Sequence, residues 1–153
     1  WTPVVNDANG NTNWERGAPN GSTGPLTGAD GSANAWCTNL GDFGTDSDIS
    51  LRSPVIDLTS VAAAELSFDA YRDGDGFGDV ASVRFLRASD QVQLGEEVSI
   101  DMTLFDADWT SQTIPVALEA VGESIVIEFN FVSDSSPDAF SGLSIDNVVV
   151  DAP

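Results

Sequence analysis

The sequence contains no histidine, no lysine and only one cysteine, Cys37. Without histidine, neither a Ser-His-Asp nor a Cys-His catalytic group can form, and the common zinc sites lose a usual ligand. A glycosidase needs only two carboxylates, but 25 acidic residues supply such a pair by chance. A single cysteine forms no internal disulfide, and its neighbours favour a buried small side chain over a reactive thiol. We therefore predict that the protein is not an enzyme.

Positive charge is equally scarce, since five arginines stand against 25 acidic residues and the formal net charge is −20. Nucleic acids and anionic membrane surfaces bind clustered Lys and Arg, so both are excluded as partners. The longest apolar run, 61–64, is too short to cross a membrane. The acidity suits a salty or marine medium, in which salt screens the repulsion. Some of the carboxylates could also form cation sites, and the two explanations are compatible.

Length and composition predict one module. At 153 residues the chain is long enough for a single sizeable core. Abundant Asp, Asn, Gly, Ser and Thr with almost no cysteine is typical of a bacterial extracellular module that relies on metal ions instead of disulfides. Trp1 is not a natural first residue, so we expect residues 1–153 to be one module that is processed or excised from a larger secreted protein. We also expect this module to be a monomer.

The order of turn residues and apolar runs predicts an all-β fold. Residues 6–34 are rich in Gly and Asn and poor in aliphatic side chains, whereas β-type runs recur about every ten residues after position 49. Apolar and polar residues alternate in 66–70 and 125–131, as in half-buried strands. The predicted strands are Leu51–Leu58, Glu65–Tyr71, Asp79–Arg87, Glu97–Leu104, Trp109–Leu118, Ser124–Val132 and Leu143–Val150. This pattern indicates an antiparallel, jelly-roll-like β-sandwich with a long loop-rich N-terminal segment.

Three acidic segments could bind a hard cation such as calcium. In the first, Asp7, Asn9 and Asn11 place oxygen-bearing side chains at every second position around Gly10, as calcium requires; an ordinary Asx-rich turn is the alternative. In the second, 73–79, three aspartates repel one another unless a cation or salty water offsets the charge, and a flexible hairpin loop is favoured. In the third, Asp146 interrupts an apolar strand, so a cation, an arginine, backbone N–H groups or an outward orientation must accommodate it.

Aromatic side chains are the candidates for ligand binding. Trp14 and Trp36 lie in patterned segments and are predicted to be structural. Tyr71, Arg72 and Phe77 lie beside the acidic 73–79 segment and are better placed for an exposed site. Trp109 is a fourth candidate, because a tryptophan ring can stack on a sugar.

The same segments resemble the cleaved-adhesin domains of gingipain proteases, which are relatives of MAM-type jelly rolls and of bacterial choice-of-anchor modules. The resemblance is carried by Trp1-Thr2-Pro3, the loop that ends in Asn13-Trp14, Gly17, Pro19, Asn34-Ala35-Trp36, Leu51–Leu58, Leu66-Ser67-Phe68, Asp79, Trp109 and Ile145-Asp146-Asn147-Val148. It implies a jelly roll with structural calcium, attached to secreted peptidases, glycanases or adhesins. It also implies that the Asp7–Asn11 loop and Asp146 are metal ligands, although Asn stands at positions 9 and 11 where the family loop is more acidic.

Two functions compete on this evidence. The first is a non-catalytic carbohydrate-binding module that targets an attached secreted enzyme to a polysaccharide. A surface this acidic should prefer neutral glycans, or anionic glycans bridged by Ca²⁺. The second is an adhesion, protein-interaction or stabilising domain of a secreted bacterial protease, which would use an apolar patch.

Overall fold

The computed structural model describes residues 1–137 and 139–152. Strands β1 to β11 within them are Thr2–Val5, Trp14–Gly17, Ala35–Thr38, Asp48–Arg52, Ile56–Asp57, Glu65–Asp73, Val80–Arg87, Val98–Ile100, Thr110–Pro115, Ser124–Val132 and Gly142–Asp151. A single 3₁₀ turn spans Ala29–Gly31. No helix in the described ranges is long and apolar enough to cross a membrane.

The strands form two antiparallel sheets that face each other across one core. In the first sheet the order is β1-β4-β10-β7-β8, and β5 also pairs with β10. In the second sheet the order is β2-β3-β11-β6-β9. This arrangement confirms the predicted all-β antiparallel sandwich.

The core lies where the alternating side chains of both sheets meet. On β10, Phe129 and Phe131 point inward with no measurable exposure. Phe129 meets Phe68 of β6 edge to face, with ring centroids 5.0 Å apart. Trp14 is also fully buried, and Trp36 packs against the core from its edge. Both tryptophans are therefore structural, as predicted.

The predicted strands agree best with the structure where apolar and polar residues alternate most regularly. Strand β10 has the predicted bounds, and β6, β7 and β11 differ from prediction by one or two residues at an end. The predicted strand Leu51–Leu58 is instead divided into β4 and β5, because Pro54 between them lacks an N–H for the sheet ladder. Strands β1, β2 and β3 were missed, since their four residues are too few to show a period against the surrounding loops.

The loop-rich part of the N-terminal region covers the outer face of the second sheet. We call residues 18–34 the covering segment. Cys37 of β3 and Ser144 of β11 point away from the core and are nevertheless buried, which shows that this face is covered. The Cys37 thiol is free, and burial raises its pKa. This agrees with the predicted role as a small buried side chain.

Strand β11 contains a bulge at the point where the covering segment crosses it. The pairing with β6 shifts register between Asp146 and Val149, and Asn147 has a φ of 49°. Asn tolerates this left-handed conformation better than β-branched residues do. The bulge turns Asp146 and Asn147 toward the covering segment instead of continuing the ladder.

We expect the substitution Phe129→Ala to lower the free energy of unfolding by about 3–5 kcal/mol, because it removes a fully buried ring and leaves a cavity. Urea unfolding followed by tryptophan fluorescence measures the change. Leu118→Ala, at a highly exposed site, is the matched control and should change stability by less than about 0.5 kcal/mol. Equal losses in the two variants would contradict the described core.

Candidate binding cleft and acidic loops

An open cleft lies where the covering segment meets the start of β9. Its volume is about 270 Å³. One wall is formed by residues 24–27 of the covering segment, and the other by Tyr71 and residues 107–109. Tyr71 reaches the cleft because it alternates on β6 with core residues Phe68 and Ala70 and so points outward.

Two aromatic rings define this cleft. Tyr71 and Trp109 are both half-buried, and their ring centroids are 5.9 Å apart at an interplanar angle of 76°. The indole Nε1 of Trp109 donates a hydrogen bond to the Thr27 carbonyl oxygen at 3.3 Å. This bond joins the two walls and fixes the orientation of the indole. The structure therefore brings together two of the four side chains that the sequence predicted for ligand binding.

The Tyr71 hydroxyl group remains protonated near neutral pH. Burial raises the pKa of Tyr71, and the negative charges of Asp73, Asp106 and Asp108 raise it further. A protonated phenol can donate and accept hydrogen bonds. The cleft thus combines apolar ring surface with a polar group, which is the usual make-up of a small-molecule site.

Arg72 does not line the cleft. It follows Tyr71 on β6, so its side chain leaves the strand on the other face, where it forms a two-bonded ion pair with Asp106 at 2.8 Å for each bond. Asp106 also accepts the Arg72 backbone N–H at 2.8 Å. Both side chains are shielded, with 11% and 7% of their surfaces exposed. Arg72 therefore anchors the segment that leads to Trp109.

Phe77 lies on the loop between β6 and β7 and is also absent from the walls of the cleft. Its side chain is 79% exposed. Phe105 is more than half exposed and packs near Phe140, with ring centroids 6.0 Å apart. Phe105 also lies against Gly76, next to Phe77 in the chain. We call Phe77, Phe105 and Phe140 the phenylalanine patch.

The predicted ligands Asp7, Asn9 and Asn11 form a closed turn beside residues 44–48. The Asp7 carboxylate accepts the backbone N–H groups of Asn9 at 2.8 Å, Gly10 at 3.0 Å and Asp48 at 2.9 Å. The bonds from Asp48 and Gly10 lower the pKa of Asp7 most. The amides of Asn9 and Asn11 donate to the carbonyl groups of residues 46 and 45. This arrangement is the Asx-rich turn that the sequence allowed as an alternative.

Asp146 lies elsewhere, on β11 at the point where the covering segment crosses it. One carboxylate oxygen accepts the Ala29 backbone N–H at 3.0 Å and the Ser32 hydroxyl at 3.1 Å. The other accepts the N–H of Asn147 at 2.9 Å. Asp146 therefore uses backbone N–H groups, one of the partners considered for it. Because Asp146 and Asp7 contact different segments, the four predicted ligands do not form a single site.

The three aspartates of segment 73–79 point into different surroundings. Asp73 ends β6 and accepts hydrogen bonds from Thr23 at 2.6 Å and from the Ser141 amide at 3.0 Å. Asp75 caps its own loop through the Phe77 N–H at 2.7 Å. Asp79 is buried beneath the loop. Within the described part of the chain, no three acidic or cysteine side chains converge closely enough to form a metal cage by themselves.

The outer face of the first sheet carries a charged network that the sequence did not suggest. Glu128 is almost completely buried because Arg52 and Arg84, its cross-strand neighbours, lie over it. The Glu128 carboxylate accepts Arg52 Nε at 2.7 Å and Arg84 Nη1 at 3.3 Å. The alternation along β10 predicts that Glu128 points outward. A single sequence does not show which residues of the neighbouring strands lie beside it, so the two arginine partners could not be predicted.

A second cleft of about 260 Å³ beside Arg84 has no aromatic residue in its lining.

No protein-family model and no curated protein sequence matches the chain. Solved structures do share its fold. The K1 cleaved adhesin domain of Lys-gingipain from Porphyromonas gingivalis W83 superimposes with a TM-score of 0.65 at 20% identity, covering 100% of this chain and 90% of that one. The module TmCBM61, solved with β-1,4-galactotriose, gives 0.58 at 12% identity, covering 99% and 88%.

A third similar structure is part of an enzyme. The glycoside hydrolase domain structure of Endo-D from Streptococcus pneumoniae R6 gives a TM-score of 0.64 at 13% identity, covering 98% of this chain but 21% of that longer one. The resemblance to cleaved-adhesin domains is thus confirmed at the level of the fold. At these identities the similarity establishes the β-sandwich and leaves the function to the side chains.

We expect Asp106→Asn to lower the free energy of unfolding by about 3–5 kcal/mol, because it leaves the shielded Arg72 guanidinium without a compensating charge. Urea unfolding measures the loss. Asp90→Asn removes a partner of Arg87 in an exposed pair and should cost far less stability than Asp106→Asn, because water and salt screen surface pairs. A loss from Asp106→Asn no larger than this control would contradict the anchoring role of the pair.

Proposed function

We propose that the protein is a non-catalytic carbohydrate-binding module, and that the cleft between the covering segment and β9 binds the glycan. The observation that carries the proposal is the pair of half-buried rings, Tyr71 and Trp109, on the walls of one open cleft. The sugar-bound structure among its fold relatives supports it. The absence of histidine supports a role without catalysis.

The chemistry of the cleft fits a sugar better than a purely apolar ligand. A sugar ring presents C–H groups that can pack on an aromatic face and hydroxyl groups that need hydrogen-bond partners. The cleft supplies ring surface, the Tyr71 hydroxyl and the exposed Asp108 carboxylate. Its volume of about 270 Å³ lies just below the range of sites for drug-sized ligands, roughly 300–1,000 Å³. We infer that it takes a short stretch of a polysaccharide chain.

Charge selects among glycans. Asp108 lines the cleft, and Asp73 and Asp106 act electrostatically on Tyr71 inside it. The nearby cation Arg72 is already paired with Asp106. A sulfated or uronic-acid polymer would be repelled by these carboxylates. The proposed ligand is therefore a neutral polysaccharide.

The setting that we propose is extracellular, with the monomeric module attached to a secreted catalytic domain. The scarcity of cysteine, the abundance of acidic residues and the fold shared with an adhesin domain of a protease all support this. In such an arrangement the module would hold the attached enzyme near its substrate and so raise the effective concentration of the substrate at the enzyme.

Structural calcium is part of the proposal, with the ion at Asp146. Hard oxygen donors suit Ca²⁺, and three of them crowd Gly28: the Asp146 carboxylate, the Ser32 hydroxyl and the Asn34 carbonyl. A Cβ atom at position 28 would overlap these oxygens, so only glycine fits. The oxygens thus form a cradle of the right chemistry. Asp7 and Asp146 both accept backbone N–H groups. The three converging oxygens favour Asp146, because no described atom lies within 4 Å of a Cβ position at Gly10 in the Asp7 loop.

A second candidate function is protein binding through the phenylalanine patch. Phe77 and Phe105 are more exposed than large apolar side chains usually are in a free domain. The patch would suit contact with the attached domain or with another protein. It lies outside the cleft, so the two functions can be tested separately.

We expect Trp109→Ala to weaken binding to a retained neutral polysaccharide at least about tenfold, because it removes one stacking surface from the cleft. Tyr71→Ala should weaken binding similarly. Affinity electrophoresis against a panel of neutral plant and algal polysaccharides identifies the ligand, and isothermal titration with its oligosaccharides measures the affinity.

Phe77→Ala is the matched control, since it removes an exposed aromatic ring outside the cleft. It should bind the same polysaccharide with unchanged affinity. Retention on none of the polysaccharides would contradict the glycan proposal. If, in addition, Phe77→Ala and Phe105→Ala released a partner domain that the native protein captures, the protein-binding alternative would replace it.

We expect calcium to raise the melting temperature of the chelator-treated protein, because an ion that binds only the folded state stabilises it by mass action. Asp146→Asn should reduce this rise, whereas Asp7→Asn should leave it unchanged even though the variant itself is less stable. Differential scanning calorimetry with and without Ca²⁺ separates the two effects. Equal calcium-induced rises in the native protein and in Asp146→Asn would rule out the cradle as a metal site.

A further inference from the structure

One carboxylate in the structure is buried without a full set of partners. Asp79 is the last residue of the β6–β7 loop and is only 8% exposed. Its Oδ1 atom accepts the Asp134 backbone N–H at 3.1 Å. Its Oδ2 atom is shielded from solvent and has no hydrogen-bond partner among residues 1–137 and 139–152. The amide of Asp75 lies near enough to lower the pKa of Asp79, but it does not reach Oδ2 with hydrogen-bond geometry.

Negative charge is unfavourable at this position. Burial raises the pKa of Asp79 to about 6, and the charges of Asp75 and Asp134 add to the increase. An ionised carboxylate in a shielded site needs a compensating charge or several hydrogen bonds, and Asp79 has only the one bond described above.

Arginine does not supply that charge. Among the described residues, Arg52 and Arg84 pair with Glu128, Arg72 pairs with Asp106, and Arg87 pairs with Asp90. The fifth arginine, Arg16, is exposed on β2 of the second sheet, and none of the five acts on the pKa of Asp79. The sequence has no lysine or histidine to substitute for them. A proton or a bound cation is left as the counter-charge.

The unpartnered oxygen borders the space beside Gly74, which has no side chain. A Cβ atom placed on Gly74 would lie 3.2 Å from Asp79 Oδ2, 3.4 Å from the Met102 carbonyl oxygen and 3.5 Å from the Met102 methyl group. The two oxygens thus converge on one region, from the β6–β7 loop and from the turn after β8. Calcium binds carboxylate and carbonyl oxygens at about 2.4 Å.

Two more carboxylates, those of Asp75 and Asp134, are close enough to act on Asp79. Asp134 packs directly on Gly78, whose φ is 62° and whose position leaves no room for a Cβ atom. Asp75 lies on the same loop and bonds the Phe77 N–H through one oxygen only. In the structure both side chains face turns of their own, so they add charge around the space without forming a ready cage.

We propose that this space is a calcium site, in which Asp79 Oδ2 and the Met102 carbonyl oxygen are direct ligands and Asp75 and Asp134 supply further charge. Water completes the coordination shell, as it commonly does for calcium. The ion would join three segments: the β6–β7 loop, the turn at residue 102 and the segment at residue 134. It is separate from the cradle at Asp146, which belongs to the covering segment.

The test measures metal binding to the chelator-treated protein by isothermal titration and calorimetric melting, at constant ionic strength and pH 7.5. We expect the native protein to bind Ca²⁺ and to melt at a higher temperature with it. Asp79→Asn should lose one equivalent of bound Ca²⁺, or bind it at least tenfold more weakly. In chelator it should melt no lower than the native protein, because the amide removes the uncompensated charge; this shows that the variant is folded.

Two variants serve as controls. Asp57→Asn changes an exposed aspartate that bonds only its neighbour Thr59, and it should retain every equivalent of calcium. Gly74→Ala keeps all the carboxylates but places a methyl group against Asp79 Oδ2, and it should weaken the same equivalent that Asp79→Asn removes. Asp146→Asn should leave that equivalent intact.

Three results would overturn the site. One is that the native protein binds no calcium. Another is that Asp79→Asn binds the same number of ions with the same affinity. The third is that Na⁺ or Mg²⁺ at the same ionic strength raises the melting temperature of the native protein and of Asp79→Asn as much as Ca²⁺ does, which would mean general screening.

Discussion

The shortage of positive charge determines how this protein holds its loops. Five arginines cannot pair with 25 acidic side chains, so carboxylates that approach the sandwich must find hydrogen-bond donors instead. Asp7, Asp73 and Asp146 each accept one or more backbone N–H groups. A carboxylate that accepts such bonds keeps its charge at modest cost. Acidic residues therefore serve as clamps between loops and strands, where other proteins commonly use disulfides or ion pairs.

The geometry of the cleft depends on these clamps. Asp73 joins β6 to the covering segment through Thr23, and Asp146 joins β11 to the same segment through Ala29. Between the two, residues 24–27 are held where Thr27 can bond Trp109. The Arg72–Asp106 pair fixes the segment on the other side. The rings of Tyr71 and Trp109 are thus held edge to face without a ligand, which would lower the entropic cost of binding one.

Not every carboxylate is satisfied in this way. Glu128 takes two of the five arginines because no backbone donor reaches the outer face of a complete sheet. Asp79 receives one backbone N–H and no arginine. The same shortage of cations that turns most acids into clamps leaves this one without a counter-charge. This carboxylate is therefore the one for which we propose a bound calcium ion.

The β-sandwich is shared with an adhesin domain and with carbohydrate-binding modules, so the fold by itself does not separate glycan binding from protein binding. What separates them here is the position of exposed aromatic residues. Tyr71 and Trp109 line a concave cleft, whereas Phe77 and Phe105 stand on an exposed loop and turn. Concave sites suit small ligands and chain segments, and exposed apolar patches suit protein surfaces.

The sequence by itself determined the fold class, because alternation along β6 and β10 is a local property that tertiary contacts did not override. It also determined the lack of a histidine-based catalytic group and the structural roles of Trp14, Trp36 and Cys37. Only the tertiary structure decided which candidates share a site. Tyr71 and Trp109 are brought together by the antiparallel pairing of β6 with β9, whereas Arg72, one residue from Tyr71, leaves on the opposite face. Asp79 and Met102, which are 23 positions apart, both approach Gly74, whereas Asp7 and Asp146 contact different segments. Contacts of this kind depend on register and loop path, which the spacing of residues along a single chain does not specify.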